Sequence, residues 1–199
     1  MEKAFSTLKV LFCFLGLFTS LTALGQHSSH EDTHEEDTHM EKYYKRKHKI
    51  AVIAGSSWVP EGRNPETEKK EFILAPTYGL MYEYRFSHKW AIVTHYELEV
   101  INILVEREDD LVKRENVQLL NLMGLWEPIP KLGIMAGVGF ESDRHETLFV
   151  TVFGLEYTFI ESHHWEVSVE SSYVNKDIYD VISLGIILGW NFGKPLEHE

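Results

Sequence analysis

Glu71–Phe86 reads EFILAPTYGLMYEYRF, and the fold follows from how this stretch alternates. Its even positions, Phe72, Leu74, Pro76, Tyr78, Leu80, Tyr82, Tyr84 and Phe86, are large and apolar or aromatic. Its odd positions, Glu71, Ile73, Ala75, Thr77, Gly79, Met81, Glu83 and Arg85, are mostly smaller and hold all the charges. A period of two belongs to a β-strand, whose successive side chains point to opposite faces of the sheet. A soluble barrel would turn the bulky apolar face inward and the charges toward water. Here the small, glycine-containing face is the one that fits a narrow interior, so the apolar face points outward into lipid. That is the polarity of a transmembrane β-barrel. Pro76 lacks the N–H that a closed sheet needs, which predicts a bulge or a position at the rim.

Working outward, the pattern predicts eight strands at 48–59, 71–86, 90–106, 115–126, 132–141, 147–160, 165–175 and 178–192. The connections 87–89, 127–131 and 161–164 are short. The connections 60–70 and 107–114 are longer and heavily charged, and 142–146 and 176–177 fall on that same side. An even number of antiparallel strands, with short turns at one end and longer polar loops at the other, describes an all-β, eight-stranded up-and-down transmembrane barrel. Both termini then lie on the short-turn side, the periplasmic side in this class. Tryptophan position supports lipid over a soluble lipocalin-like barrel. Trp90 and Trp165 begin strands after short turns, and Trp126 and Trp190 end strands before that same rim. With Tyr82, Tyr84, Phe86, Tyr157, Phe159 and Phe192 they form an aromatic girdle at one membrane interface.

The rest of the chain bounds the function. Residues 1–25 read as a secretory signal: Lys3 and Lys9, the apolar run Val10–Phe18, then Ala23-Leu24-Gly25 before Gln26. The single cysteine, Cys13, lies inside that run, so the mature chain has neither disulfide nor thiol nucleophile. Loss of Lys3 and Lys9 against Glu2 takes the formal charge from −12 to −13. A chain this acidic is a poor candidate for nucleic-acid binding, and no nucleic acid is expected as a partner. Apolar runs are too short for a membrane helix, so any span uses strands.

Residues 26–47 are low-complexity and are expected to be disordered on the periplasmic side. His27, His30, His34 and His39 sit there among carboxylates, a donor set suited to zinc, copper or nickel. Their spacing matches no closed zinc motif, which leaves two readings: a solvated linker, or weak capture of a divalent metal. No cofactor is otherwise required.

Residues 48–193 resemble the small eight-stranded outer-membrane barrels of Gram-negative bacteria, the porin-family-like group. Asp180–Phe192, DVISLGIILGWNF, resembles their C-terminal insertion signal of alternating apolar residues ending in an aromatic. Here Gly193 and the tail KPLEHE (194–199) follow Phe192. The resemblance implies an outer-membrane location, with membrane lipid and the barrel insertion machinery as partners. It brings no catalytic motif, and it spans adhesive, stabilising, enzymatic and surface-binding proteins. Loop charge alone does not name an extracellular ligand.

Extending the alternation predicts a lumen lined by Glu83, Arg85, His95, Glu97, Glu99, Glu141, Glu156, Glu166 and Glu170. Gly133, Met135, Gly137, Gly139, Ser168, Tyr179, Ser183, Asn191, Thr77 and Thr151 complete it. Strand 115–126 is mixed on both faces and receives no assignment. Arg85 and His95 are thus the only expected counter-groups to seven carboxylates. Such a lumen calls for internal water, for protonated carboxyls, or for a shared cation. It reads either as a hydrogen-bonded brace or as a narrow proton or cation path, and eight strands leave no room for a wide pore. Ser162-His163-His164 with Glu166 has the residue types of a lipid-modifying hydrolase, but on a short periplasmic turn, away from the outer leaflet where such barrels work. The loop Glu141–Thr147 has no nucleophile and base pair.

Overall fold

The computed structural model describes residues 45–107, 110–144, 146–176 and 178–196. The signal segment, the tail histidines His27, His30, His34 and His39, and residues 197–199 lie outside them. Eight strands follow in order: β1 (Arg46–Val59), β2 (Ile73–Arg85), β3 (Trp90–Arg107), β4 (Asp110–Ile129), β5 (Leu132–Ser142), β6 (Thr147–Glu161), β7 (Trp165–Lys176) and β8 (Asp180–Pro195). Each pairs antiparallel with its neighbours in sequence, and β1 pairs with β8 to close the barrel. The fold is the eight-stranded up-and-down barrel that the alternation predicts.

Side-chain polarity runs as the β2 pattern requires. From Ala75 to Arg85 every odd residue is buried and every even residue exposed. Tyr78 and Leu80 are each 56% exposed, and similarly large residues around the ring, such as Leu122, Phe140, Phe153 and Ile186, are exposed as well. An apolar band of this extent is far larger than a water-facing protein surface carries, and lipid is the solvent that suits it. Pro76 pairs with Ser56 of β1, while the β2–β3 ladder begins only at Thr77. The proline therefore sits one residue beyond the β2–β3 ladder, so that pairing asks no N–H of it.

Several predicted boundaries move. The expected loop 107–114 is largely a hairpin extension, with pairs running from Asn102–Glu115 to Arg107–Asp110. At the other end β4 continues to Ile129, leaving Pro130 and Lys131 as the turn, with Lys131 at φ 72°. β8 runs past Phe192 to Pro195. Thr151, expected in the lumen, is exposed, and its neighbours Val150 and Val152 are buried instead. The reason is parity: β6 turns Glu156 inward, and every even residue from Leu148 to Glu156 goes with it.

The glycines of β5 set how closely it meets β4. A Cβ on Gly137 would lie 2.2 Å from the Leu122 carbonyl oxygen, and one on Gly139 would lie 2.3 Å from that of Leu120. These contacts are with backbone, so the seam closes to this distance only with glycine at both positions. Met123 and Asn121 of β4 occupy the space beside these two glycines.

Candidate functional site in the barrel lumen

The buried charges form two clusters separated by a polar middle. At the end with the short turns, Lys49 is 1% exposed, and its Nζ lies 2.8 Å from Glu83, 3.2 Å from Glu156 and 2.6 Å from Glu166. Asn191 Nδ2 donates to Glu166 at 2.9 Å, so that carboxylate is bonded on both oxygens. Arg85 pairs with Glu83 through Nε and with Glu127 at 2.7 Å, and Lys45 meets the other oxygen of Glu127. β1 delivers Lys49 because it shares parity with Ala51, Ile53 and Ser57, all inward.

At the loop end, Lys176 pairs with Glu141 and lies 3.2 Å from Glu99. Arg114 pairs with Glu141, and also with Asp143 and Glu146 at 3.2 Å each. Tyr179 donates its hydroxyl to Glu141 at 2.8 Å. Burial, with the nearby Glu141 and Glu99 opposing Lys176, holds that phenol above its usual range, so it remains a donor across ordinary pH. Val59, Ile103, Val105, Val117, Val150 and Val181 are fully buried and close the same end with apolar side chains.

Between the clusters stand His95, Glu97 and Glu170, each at most 5% exposed, around a cavity of about 10 Å³. His95 Nε2 is 3.8 Å from Glu97, and neither it nor Glu170 Oε2 has a hydrogen-bond partner. Among the described residues no group of three or more His, Cys, Asp or Glu is placed to hold a metal ion.

The predicted lumen residues Glu83, Arg85, His95, Glu97, Glu99, Glu141, Glu156, Glu166 and Glu170 are therefore all buried, but they are divided among three levels. The expectation that Arg85 is the only interior cation is corrected: Lys49, Arg114 and Lys176 are also inside. Arg114 was expected in the loop 107–114 but lies on β4, where the β3–β4 register slips between Glu99–Val117 and Asn102–Glu115, with Asn116 at φ 49°. Asparagine tolerates that left-handed backbone, and the irregularity lets Arg114 and Val117 both face inward. Lys176 ends β7 rather than starting a loop. Ser162, His163 and His164 are exposed, while Glu166 is turned into the lumen onto Lys49 and Asn191.

The predicted girdle lines the outside of the short-turn end. Cross-strand register brings Trp90 onto Trp126 at 6.0 Å and Trp165 onto Trp190 at 6.1 Å, both stacked. Tyr82, Tyr84, Phe86, Tyr157 and Phe159 are exposed, and half-buried Phe192 stacks on His48 at 5.3 Å. Trp58 lies toward the loop end, against Phe72.

Arg85→Met removes two ion-pair contacts near a rim that water reaches. The expected loss is about 1–3 kcal/mol, the cost of buried acceptors left unpaired. Urea unfolding in detergent micelles measures it, and an unchanged midpoint would mean that Arg85 does not brace the mouth.

No protein-family model matches the sequence, and no curated protein does. Among solved structures, the N-terminal β-barrel domain of OprF from Pseudomonas aeruginosa superposes with a TM-score of 0.50 at 10% identity, over 74% of this chain and 99% of that one. Ail, the attachment invasion locus protein of Yersinia pestis, gives 0.46 at 12% identity, over 74% and 99%. The outer membrane protein OprG from P. aeruginosa gives 0.43 at 10%, over 76% and 98%. At these identities the likeness is one of fold: the chain has the architecture of small eight-stranded outer-membrane barrels.

Proposed function

We propose that this chain is a non-enzymatic outer-membrane protein whose closed lumen is a brace and whose charged loops form a binding surface outside the cell. The observation that carries the reading is the filled interior. An ion-pair cluster stands at each end, and an apolar layer backs the one at the loops. Such a lumen gives the barrel rigidity and offers no path for a sugar-sized solute. The short turns and both barrel ends, Lys45 and Leu196, share one rim, which supports a periplasmic orientation for it. The partners in this reading are outer-membrane lipid and the barrel insertion machinery.

The loop-end surface is held in shape rather than left loose. Arg63 exchanges both backbone hydrogen bonds with Leu104 of β3, at 2.9 and 3.0 Å, and its guanidinium reaches Glu106 at 2.6 Å. The first long connection is thereby strapped to the projecting β3–β4 hairpin, a rigid platform of the kind that binding loops use. Conductance in planar bilayers tests the closed lumen. The native protein is expected to give no large, steady channels; their appearance would replace the brace with an open pore.

A further inference from the structure

Histidine is unevenly spread along this chain. Of its 11 histidines, His27, His30, His34 and His39 fall together in one short stretch. That stretch, 26–41, also holds Glu31, Asp32, Glu35, Glu36, Asp37 and Glu41 with neither lysine nor arginine, and a basic run begins directly after it at Lys42. The unit Glu-Asp-Thr-His occurs twice, at 31–34 and 36–39, so two of the imidazoles follow a pair of acids. Charge alone keeps a spacer solvated, whereas imidazole adds a metal ligand. The barrel offers no competing set. His95 is buried beside Glu97, and His48 is bonded to Tyr82 and stacked on Phe192. His163 and His164 are exposed on the β6–β7 turn, and among the described residues no group of three metal-binding side chains includes them.

We infer that residues 26–41 capture a divalent transition-metal ion of the class that takes imidazole, zinc, copper or nickel. His27, His30, His34 and His39 are the nitrogen ligands, and the carboxylates between them add oxygen ligands. The donor types select the class. Imidazole suits these borderline ions, whereas magnesium and calcium are held by oxygen ligands. The carboxylates attract any cation, so the histidines are what discriminate. The spacing selects the mode. Steps of three, four and five positions form no closed zinc motif, so the four imidazoles supply several overlapping ligand sets in place of one fixed cage. An ion held this way exchanges, and the segment acts as a store and not as a structural centre. This binding is independent of the brace in the lumen.

Calorimetric titration of the full chain in dodecyl maltoside tests the inference, with zinc against magnesium at equal ionic strength. The chain carries no polyhistidine tag and has Cys13→Ser, so that neither an added imidazole nor a thiol competes. Saturable zinc binding with no counterpart for magnesium is expected. Replacing His27, His30, His34 and His39 together by asparagine is expected to weaken it by about a hundredfold or more, near 2.8 kcal/mol. His34→Asn alone is expected to cost only a few-fold, because the remaining imidazoles substitute for it. Glu31→Gln, Asp32→Asn, Glu36→Gln and Asp37→Asn together, with every histidine kept, are expected to weaken binding less than loss of the four histidines does. The urea midpoint of the barrel is expected to be the same in all of these variants, which keeps folding out of the comparison. Zinc heats equal to those of magnesium would return the segment to a spacer. Zinc binding that survives loss of the four histidines, or that falls further with the acids than with the histidines, would overturn the inference.

Discussion

Lys49→Met is expected to lower the stability of the barrel by about 3–5 kcal/mol, the range seen when one partner of a buried ion pair is deleted. One ammonium here serves three carboxylates, Glu83, Glu156 and Glu166, all within 3.2 Å and all at most 7% exposed. Methionine keeps most of the volume and none of the charge, so Glu156 loses its ion pair while Glu83 keeps only Arg85 and Glu166 only the Asn191 amide. Their mutual repulsion and lost solvation are what the measurement reads. Equilibrium urea unfolding in lipid vesicles gives the number. Lys49→Arg should retain most of the stability, and adding Glu166→Gln to Lys49→Met should recover part of the loss by removing one of the stranded charges. A midpoint that Lys49→Met does not move would dismantle the short-turn cluster as a source of stability.

Leu80→Arg is expected to cost about 2–4 kcal/mol, the penalty for arginine on the lipid face near the bilayer midplane. Leu80 is 56% exposed and lies midway along the outer face between Tyr84 at the girdle and Phe72 toward the loops, the level at which a barrel of this class faces acyl chains. The same folding equilibrium in vesicles measures it, with Leu80→Ala as the size control. A cost below that of Leu80→Ala would mean that water, not lipid, surrounds this face.

The lipid-facing half of the barrel was legible in the sequence because a half-buried strand writes its two faces in alternate residues, and β2 does so without interruption from Ala75 to Arg85. The lumen was only partly legible. Its acids on β3, β6 and β7 follow directly from parity with Glu97, Glu156 and Glu170. Lys49 was legible in the same way, through its parity with Ala51 and Ser57, but only if the first strand is read for its interior face. Lys176 was lost to a strand boundary placed one residue short. Arg114 was lost first to the loop expected over 107–114, and a longer strand would not have revealed it either, because the slip beside Asn116 breaks the period. Pairing is a further limit. Alternation says which side chains enter the lumen, but the register of eight strands decides which of them meet, as when Lys176 on β7 reaches Glu141 on β5. The girdle needed no such register, since tryptophan at strand ends is a property of each strand alone.

The central claim is that the bulky apolar face looks into lipid and the small, charged face into the lumen. The most direct measurement is a single-site spin-label scan of β2 from Thr77 to Glu83 in reconstituted bilayers, recording accessibility to oxygen and to a water-soluble nickel chelate. Labels at Tyr78, Leu80 and Tyr82 should be open to oxygen and shielded from nickel. Labels at Thr77, Gly79, Met81 and Glu83 should lose that lipid signature, giving a period of two along the strand. A scan in the opposite phase, or one with no alternation, would contradict the account.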